Sequence, residues 1–234
     1  LTRGEAVVRV LPSEDGELAV VAATPTTARP EAVTSWFGAV ADLKKSEFVL
    51  AIRRIADPPT LQDFSGVQLD DGDLDDLRRC QPGDCDLKLS RADIVALRQV
   101  VGTSGSAWKE AVQVAFRERL LGRVHLYQTE GLQALPPYAD RKSPVSPNDV
   151  FARLLTRSPY VTSLLLSNHL ERVDTFFYWS KERYGTGKAV ISLTHVDTFR
   201  SSLSSGPEVL VVSAELFATH YRTASLGVTA LTSD

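Results

Sequence analysis

The sequence predicts an α+β domain in which an antiparallel sheet packs against several helices. Three observations lead to this prediction: strand-like runs gather at the two ends of the chain, the middle shows helical periodicity, and the last strands follow one another closely. This order predicts a curved sheet made of an N-terminal hairpin and a C-terminal meander, with helices covering one face. The 234 residues are predicted to form a single domain.

Residues 1–57 predict a hairpin, a helix and a strand. Two apolar runs, 5–10 and 17–24, flank a loop that contains Asp15 and Gly16, and an Asp-Gly pair in such a position is typical of a hairpin. Pro30 suits the first turn of the helix that follows. A strand predicted over 48–55 ends at the Asp57-Pro58-Pro59 segment.

Residues 58–174 predict mainly helices joined by loops. Ser90 and Asp93 have the spacing of a capping box, and a long helix over 107–129 carries an apolar stripe typical of core packing. The acidic run over 70–76 lacks the spacing of an EF-hand, so we interpret Asp70 or Asp71 as the cap of a short helix rather than as a calcium ligand. The proline-rich segment 135–147 is the best candidate for a mobile lid or a linker.

Residues 175–234 predict antiparallel strands. Counting by twos along 189–199 places His195 and Asp197 on an apolar face, and the same count along 208–221 places His220 on the apolar face of the next strand. We therefore expect one core face or pocket wall to carry both imidazoles and the carboxylate. An aromatic run just before these strands contributes Tyr178 and Trp179.

Composition excludes some classes of partner. The net charge is −3 with dispersed Lys and Arg residues, so no nucleic-acid partner is expected. The longest apolar stretches are far shorter than the roughly 20 residues that a membrane span needs, so no integral membrane segment is expected in this chain.

The two cysteines predict a disulfide. Pro82 and Gly83 lie between Cys80 and Cys85 and favour a tight turn that brings the thiols together. Two reduced, buried thiols are the alternative. A disulfide favours an exported protein, and a chain without methionine fits the loss of a leader, so a periplasmic or secreted location is expected.

Five segments resemble those of a group of uncharacterised exported bacterial proteins, which implies export but no particular activity. The order of elements is also similar to START-like, helix-grip domains, in which a curved sheet wraps a helix around an apolar, lipid-binding cavity. The segments are Cys80-Gln81-Pro82-Gly83-Asp84-Cys85, Ser158-Pro159-Tyr160, Tyr178-Trp179-Ser180-Lys181-Glu182, Thr194-His195-Val196 and Thr219-His220-Tyr221.

The first functional hypothesis is a binding module. Apolar sheet faces with few polar interruptions favour an apolar pocket, between the sheet and the helices, for a lipid or another small hydrophobic molecule. The residues expected to contact the ligand are Tyr178, Trp179, His195, His220 and Tyr221.

The second hypothesis is an enzyme of the hydrolase, isomerase or cyclase type. An imidazole held by a carboxylate can act as a general base, so the candidate catalytic residues are His195, Asp197, His220 and Tyr178, with Tyr221 or Lys181 as further proton donors. Against it, the chain contains no G-x-S-x-G, H-E-x-x-H, Walker or G-x-G-x-x-G motif, and no cofactor is predicted.

Two further interpretations concern the same residues. His195, Asp197 and His220 are acceptable metal ligands but have no diagnostic spacing, so no metal site is predicted. The histidines also fit a purely structural role, in which each imidazole is hydrogen-bonded to neighbours on an apolar face. A non-catalytic interaction domain that uses an exposed sheet edge is the third functional hypothesis.

Overall fold

The computed structural model describes residues 5–12, 16–202 and 206–232. Within them the chain forms helices and antiparallel strands, so the α+β prediction is confirmed. The helices are α1 (Pro30–Gly38), α2 (Val40–Leu43), α3 (Asp71–Leu77), α4 (Arg91–Thr103), α5 (Trp108–Glu130), α6 (Pro147–Thr156) and α7 (Pro159–Leu165). The strands are β1 (Val7–Leu11), β2 (Ala19–Ala23), β3 (Val49–Arg54), β4 (Leu170–Glu182), β5 (Val190–Ser201), β6 (Pro207–Ala218) and β7 (Ser225–Thr232).

The strands form two separate sheets. Strands β3 to β7 make a five-stranded antiparallel sheet in sequence order, and β1 pairs only with β2. The predicted hairpin therefore exists, but it does not extend the main sheet, and both of its strands are exposed along their whole length. Gly16 has φ +74, which suits the predicted turn, whereas Asp15 lies outside the described residues.

Helices cover both faces of the main sheet, where the sequence pattern predicts one. The larger core lies between the sheet and α4 and α5, and it includes Phe177 and Leu193 from the strands with Phe116 from α5. On the opposite face, Val33 of α1 packs with Val211 and other apolar strand residues. Each strand therefore contributes alternate residues to two cores.

Local capping signals in the sequence are only partly used as predicted. Ser90 caps α4: its Oγ accepts from the Asp93 backbone N–H at 3.1 Å and donates to the Asp93 carboxylate at 2.7 Å. Asp70 precedes α3, but its carboxylate makes no side-chain cap. It instead accepts from Lys181 at 2.5 Å and Arg183 at 2.8 Å, because β4 passes beside this helix.

The segment 135–147 is held in place, which corrects the prediction of a lid or linker. The Tyr138 side chain is fully buried in the larger core. Its backbone exchanges two hydrogen bonds with Val145, and the N–H of Ala139 donates to the carbonyl of Leu89. Because the Tyr138 ring is buried and the backbone around it is hydrogen-bonded, this segment is part of the core and does not form a loose lid or linker.

Cys80 and Cys85 form the predicted disulfide. Both residues are buried, and Gly83 supplies the positive φ, +94, that the intervening turn needs. None of the described helices combines the length and the apolarity that crossing a bilayer would require.

Candidate functional site

A wide cleft lies at the edge of the main sheet because β3 is shorter than β4. Strand β3 stops at Arg54, opposite Tyr178, since Pro58 and Pro59 follow closely and have no N–H to donate. Strand β4 continues for eight residues beyond that point. Apart from one hydrogen bond from the Ile55 N–H to the Phe177 carbonyl, those residues pair with β5. The space left open, about 850 Å³, is closed on another side by the C-terminal end of α5. It is lined by Arg53, Arg54, Ile55, Ala56, Asp57, Asp63, Tyr127, Gln128, Gly131, Arg172, Thr175, Phe176, Phe177, His195 and Asp197.

His195 lies at the centre of this cleft. Its ring stacks on Phe177 with a centroid separation of 4.5 Å and meets the Tyr127 ring edge-on at 5.2 Å. The Tyr127 hydroxyl lies 3.2 Å from Nδ1, and the Thr175 hydroxyl lies 2.9 Å from Nε2. Both ring nitrogens therefore already have a hydrogen-bonding partner within the protein.

Burial determines the protonation of this site. It lowers the pKa of His195, and the Arg172 charge acts in the same direction, although the Asp197 carboxylate opposes them. Burial also raises the pKa of Tyr127. Near neutral pH the imidazole is therefore neutral and the phenol keeps its proton, and each hydroxyl can donate or accept to match the tautomer of His195.

Asp197 is held by charge rather than by hydrogen bonds. Its Oδ1 atom lies 3.1 Å from Nε of Arg172 and 3.6 Å from Nε2 of His195. Neither N–H is aligned with that oxygen, which is buried without a hydrogen bond among the described residues. This carboxylate could therefore accept a hydrogen bond from a bound molecule after a small side-chain rotation.

The cleft also contains one weakly engaged cation. Arg54 donates to the carbonyl of Gly38 and to Asp174, and Arg172 pairs with Asp197. Arg53, in contrast, makes hydrogen bonds to only two neutral oxygens, each at 3.4 Å, among the described residues. Its charge helps to lower the pKa of Asp63, but that carboxylate accepts its hydrogen bonds from Thr60 and not from Arg53. Its guanidinium is exposed and available to an anion.

The structure places His220 outside the cleft. Its Nδ1 lies 3.1 Å from the carbonyl oxygen of Asp86 and its Nε2 lies 3.0 Å from Oδ1 of Asp73. Both oxygens are acceptors, so both contacts are hydrogen bonds only when the ring carries two protons. Lys188 belongs to the same cluster, because it pairs with Asp76 and Asp86. His220 links the sheet to α3 through its contact with Asp73.

Register separates the two histidines. His195 pairs with Ala214, whereas Ser192 pairs with Ala218, about 10 Å along the strand. His220 lies beyond that point, after the end of β6. A β-bulge at Leu216 also breaks the count by twos, because Phe217 and not Leu216 is opposite Leu193. The expectation that both imidazoles share one wall with Asp197 is therefore not met.

The remaining predicted residues have other surroundings. Tyr178 faces the opposite side of the sheet, and Trp179 is buried in the larger core, where its Nε1–H donates to the carbonyl of Asp63 at 2.9 Å.

Tyr221 and Lys181 lie outside both cores. Tyr221 has a left-handed backbone, φ 63, and its hydroxyl accepts a hydrogen bond from the Lys188 backbone N–H at 3.0 Å. Lys181 is paired with Asp70.

Only His195 and Asp197 of the fifteen lining residues belong to the predicted set. The missed residues on which the binding argument depends are Arg53, Tyr127, Arg172 and Thr175. Tyr127 belongs to the helical stripe over 107–129, and a tyrosine at the end of such a stripe is the one signal that points to a polar contact. The two arginines carry no signal, because nothing in the spacing of residues 53 and 172 shows that their strands meet.

The comparisons with known proteins return no relative. No protein-family model, curated protein or solved structure matches the chain. Any function must therefore be argued from the geometry of the site.

Proposed function

We propose that this chain binds a small amphipathic anion in the cleft around His195. The single observation that carries the proposal is that Arg53, which no carboxylate among the described residues hydrogen-bonds, lines the same cleft as the aromatic rings of Phe177 and Tyr127. The volume of about 850 Å³ is that of typical small-molecule sites. The expected ligand has an apolar body and an acidic head, a class that includes fatty acids.

Each part of such a ligand has a matching surface. The apolar body would cover Phe177 and Ile55, and the acidic head would accept hydrogen bonds from the planar guanidinium of Arg53. The Oδ1 atom of Asp197, which has no hydrogen bond among the described residues, offers an acceptor for a hydroxyl or amide on the ligand. The cleft is more polar than the mostly apolar pocket that the sequence predicts.

Binding is favoured over catalysis by the state of His195. In a nucleophile–base pair a hydroxyl contacts one imidazole nitrogen and a carboxylate orients the ring through the other. Here the Tyr127 phenol contacts Nδ1, whereas Thr175 and Asp197 both approach Nε2. His220, the expected second imidazole, is committed to Asp73 and Asp86. An enzyme that used Thr175 as its nucleophile would lack the carboxylate on Nδ1 that orients the base.

We also propose that the protein is exported to the periplasm or secreted. The bonded pair Cys80 and Cys85 supports this, because disulfides persist in oxidising compartments. Fractionation of the native host should find the chain outside the cytoplasm with no titratable thiol. A cytoplasmic protein with two free thiols would exclude the proposed location.

The binding proposal is tested with two probes, dodecanoate and 4-phenylbutyrate, added to ¹³C-labelled protein. The ring resonances of His195, assigned with His195→Gln, should shift and saturate, whereas those of His220 should not move. Native mass spectrometry of freshly purified protein should also reveal any ligand that copurifies. If neither probe shifts the His195 ring, the cleft is not the proposed site.

A matched pair of variants tests the role of the guanidinium. Arg53→Gln removes a charge-assisted hydrogen bond worth about 1.5 to 3 kcal/mol, so dodecanoate should bind at least tenfold more weakly. Lys45→Gln removes the same charge from an exposed residue outside the cleft and should leave affinity unchanged. Dodecanol, which lacks the anion, should bind both variants equally. Equal loss in the two variants would point to nonspecific charge attraction.

A further inference from the structure

The sheet face that packs on α1 changes from apolar to polar along its length. On β4 the residues of this face run Phe176, Tyr178, Ser180 and Glu182. Strands β5 and β6 change in the same direction, from valine to serine, threonine or glutamate. The apolar half lies beneath α1. The polar half faces a hollow of about 290 Å³, which we call the β4–β7 hollow. It is lined by Lys44, Tyr178, Glu182, Tyr184, Thr194, Ser213, Glu215, Arg222, Ser225 and Gly227.

The charges in the β4–β7 hollow are paired. Glu182 accepts from Lys44 at 2.6 Å, and Glu215 accepts from Arg222 through two hydrogen bonds of 2.9 and 2.8 Å. Burial opposes ionisation of Glu182, but hydrogen bonds from Lys44 and Tyr184 hold its pKa below the usual value. The hollow thus presents two anions and two cations, and it has no net attraction for an ion.

Hydroxyl groups fill the space between these pairs. Thr194, Ser213 and Ser225 line the hollow, and their side chains make no hydrogen bond within the described residues. Tyr178 and Tyr184 add aromatic rings at the same site. Polar side chains concentrated around a hollow are costly unless they are hydrogen-bonded, either to water or to a ligand that replaces that water.

We propose that the β4–β7 hollow binds a neutral polyhydroxylated molecule of the size of a monosaccharide. Its volume equals that of about ten waters at roughly 30 Å³ each, enough for a six-membered ring with its hydroxyl groups. Sugar hydroxyls both donate and accept, so they match a surface that alternates carboxylates, cations and hydroxyls. The apolar face of a sugar ring suits the exposed ring of Tyr184, which stacks on Phe48 on its other side, whereas Tyr178 is buried with Lys44 over its ring. An apolar ligand would leave the polar groups of the lining without hydrogen bonds. An ion of either sign would be repelled by the two side chains that carry the same charge.

One residue allows this hollow to be filled without disturbing the rest of the sheet. Gly227 of β7 lies opposite Ser213, and a Cβ at this position would meet the Ser213 Cβ at 3.6 Å, which is an ordinary contact. Its backbone does not have the positive φ that requires glycine. Gly227→Val therefore occupies the hollow with a residue that favours strands. Ala230→Val adds a similar side chain to the same strand outside the hollow and is the matched control.

The test is a ¹⁵N NMR titration of the whole chain with D-glucose, D-galactose and myo-inositol. At least one should give saturable shifts at Ser213, Ser225 and Gly227, with a dissociation constant in the millimolar range expected of so small a ligand. Gly227→Val should weaken that binding at least tenfold, and Ala230→Val should not. Dodecanoate should still bind the cleft in both variants, which shows that each is folded.

Two results would overturn the proposal. One is the absence of saturable shifts around the hollow with all three polyols. The other is tighter binding of gluconate than of D-glucose in the wild-type chain, which would make the hollow an anion site. Binding that survives Gly227→Val unchanged would place the polyol elsewhere and would count against the proposal equally.

Discussion

The effect of Tyr138→Phe on the free energy of unfolding should change sign between neutral and alkaline pH. The ring is fully buried in the larger core, and burial raises the pKa of its hydroxyl to about 12. In the unfolded chain the same hydroxyl ionises near pH 10. The folded protein must therefore keep the proton at a pH where the unfolded chain releases it.

The direction of the pH effect on stability follows from the difference between the folded and unfolded pKa values of Tyr138. A group whose pKa is raised by folding contributes stability that is complete below its unfolded pKa and is lost as pH rises through its folded pKa. A difference of about two pKa units corresponds to about 3 kcal/mol, of which about 1 kcal/mol is lost by pH 11. At pH 7 the Tyr138 hydroxyl contributes one long hydrogen bond to the carbonyl of Leu216, at 3.4 Å, worth about 1 kcal/mol or less.

Urea unfolding followed by tryptophan fluorescence measures both chains at several pH values. At pH 7 Tyr138→Phe should be slightly less stable than wild type, and by pH 11 the two should be equal or the variant more stable. Other tyrosines and lysines titrate in the same range, but they do so equally in both chains and cancel in the difference. A difference that stays constant from pH 7 to pH 11 would refute the reasoning, because it would mean that the hydroxyl ionises without a folding penalty.

Three further outcomes are expected. Removing the disulfide with Cys80→Ala and Cys85→Ala should lower the free energy of unfolding in urea by about 2 kcal/mol, the value for so short a loop. If loop closure is the cause, reduced wild type should be as stable as the double variant. Asp197→Asn should lower the pKa of His195 further in an NMR titration, because the carboxylate is the charge that raises it; a rise would contradict the assigned electrostatics. Leu216→Ala should cost about 2 to 5 kcal/mol, and a loss below about 1 kcal/mol would show that the bulge side chain is not part of the core.

Local signals in the sequence predict local structure well. The Ser90 cap, the turn that closes the disulfide and the end of β3 near Pro58 each depend on residues a few positions apart. The fold class follows because strands and helices have different periods. Asp70 shows the limit of such signals. Its position before a helix is correct, but a lysine and an arginine more than 100 residues away take its carboxylate.

The candidate site depends on register, which periodicity does not contain. A count by twos assumes an unbroken strand, and the extra residue at Leu216 shifts everything after it to the other face. His220 also lies past the end of β6, in a turn that the apolar pattern of the strand does not mark. Arg53 and Arg172 line the same cleft only because β3 ends before β4 does.

Adjacent residues of β4, and likewise of β5, face different proposed binding sites. Phe177 and His195 face the cleft, whereas Tyr178 and Thr194, the very next residues along each strand, face the β4–β7 hollow. The two bound molecules would lie on opposite sides of one layer of backbone. A substitution at 177 or 195 therefore changes one site, and a substitution at 178 or 194 changes the other. Every variant made for one site is an internal control for its neighbour.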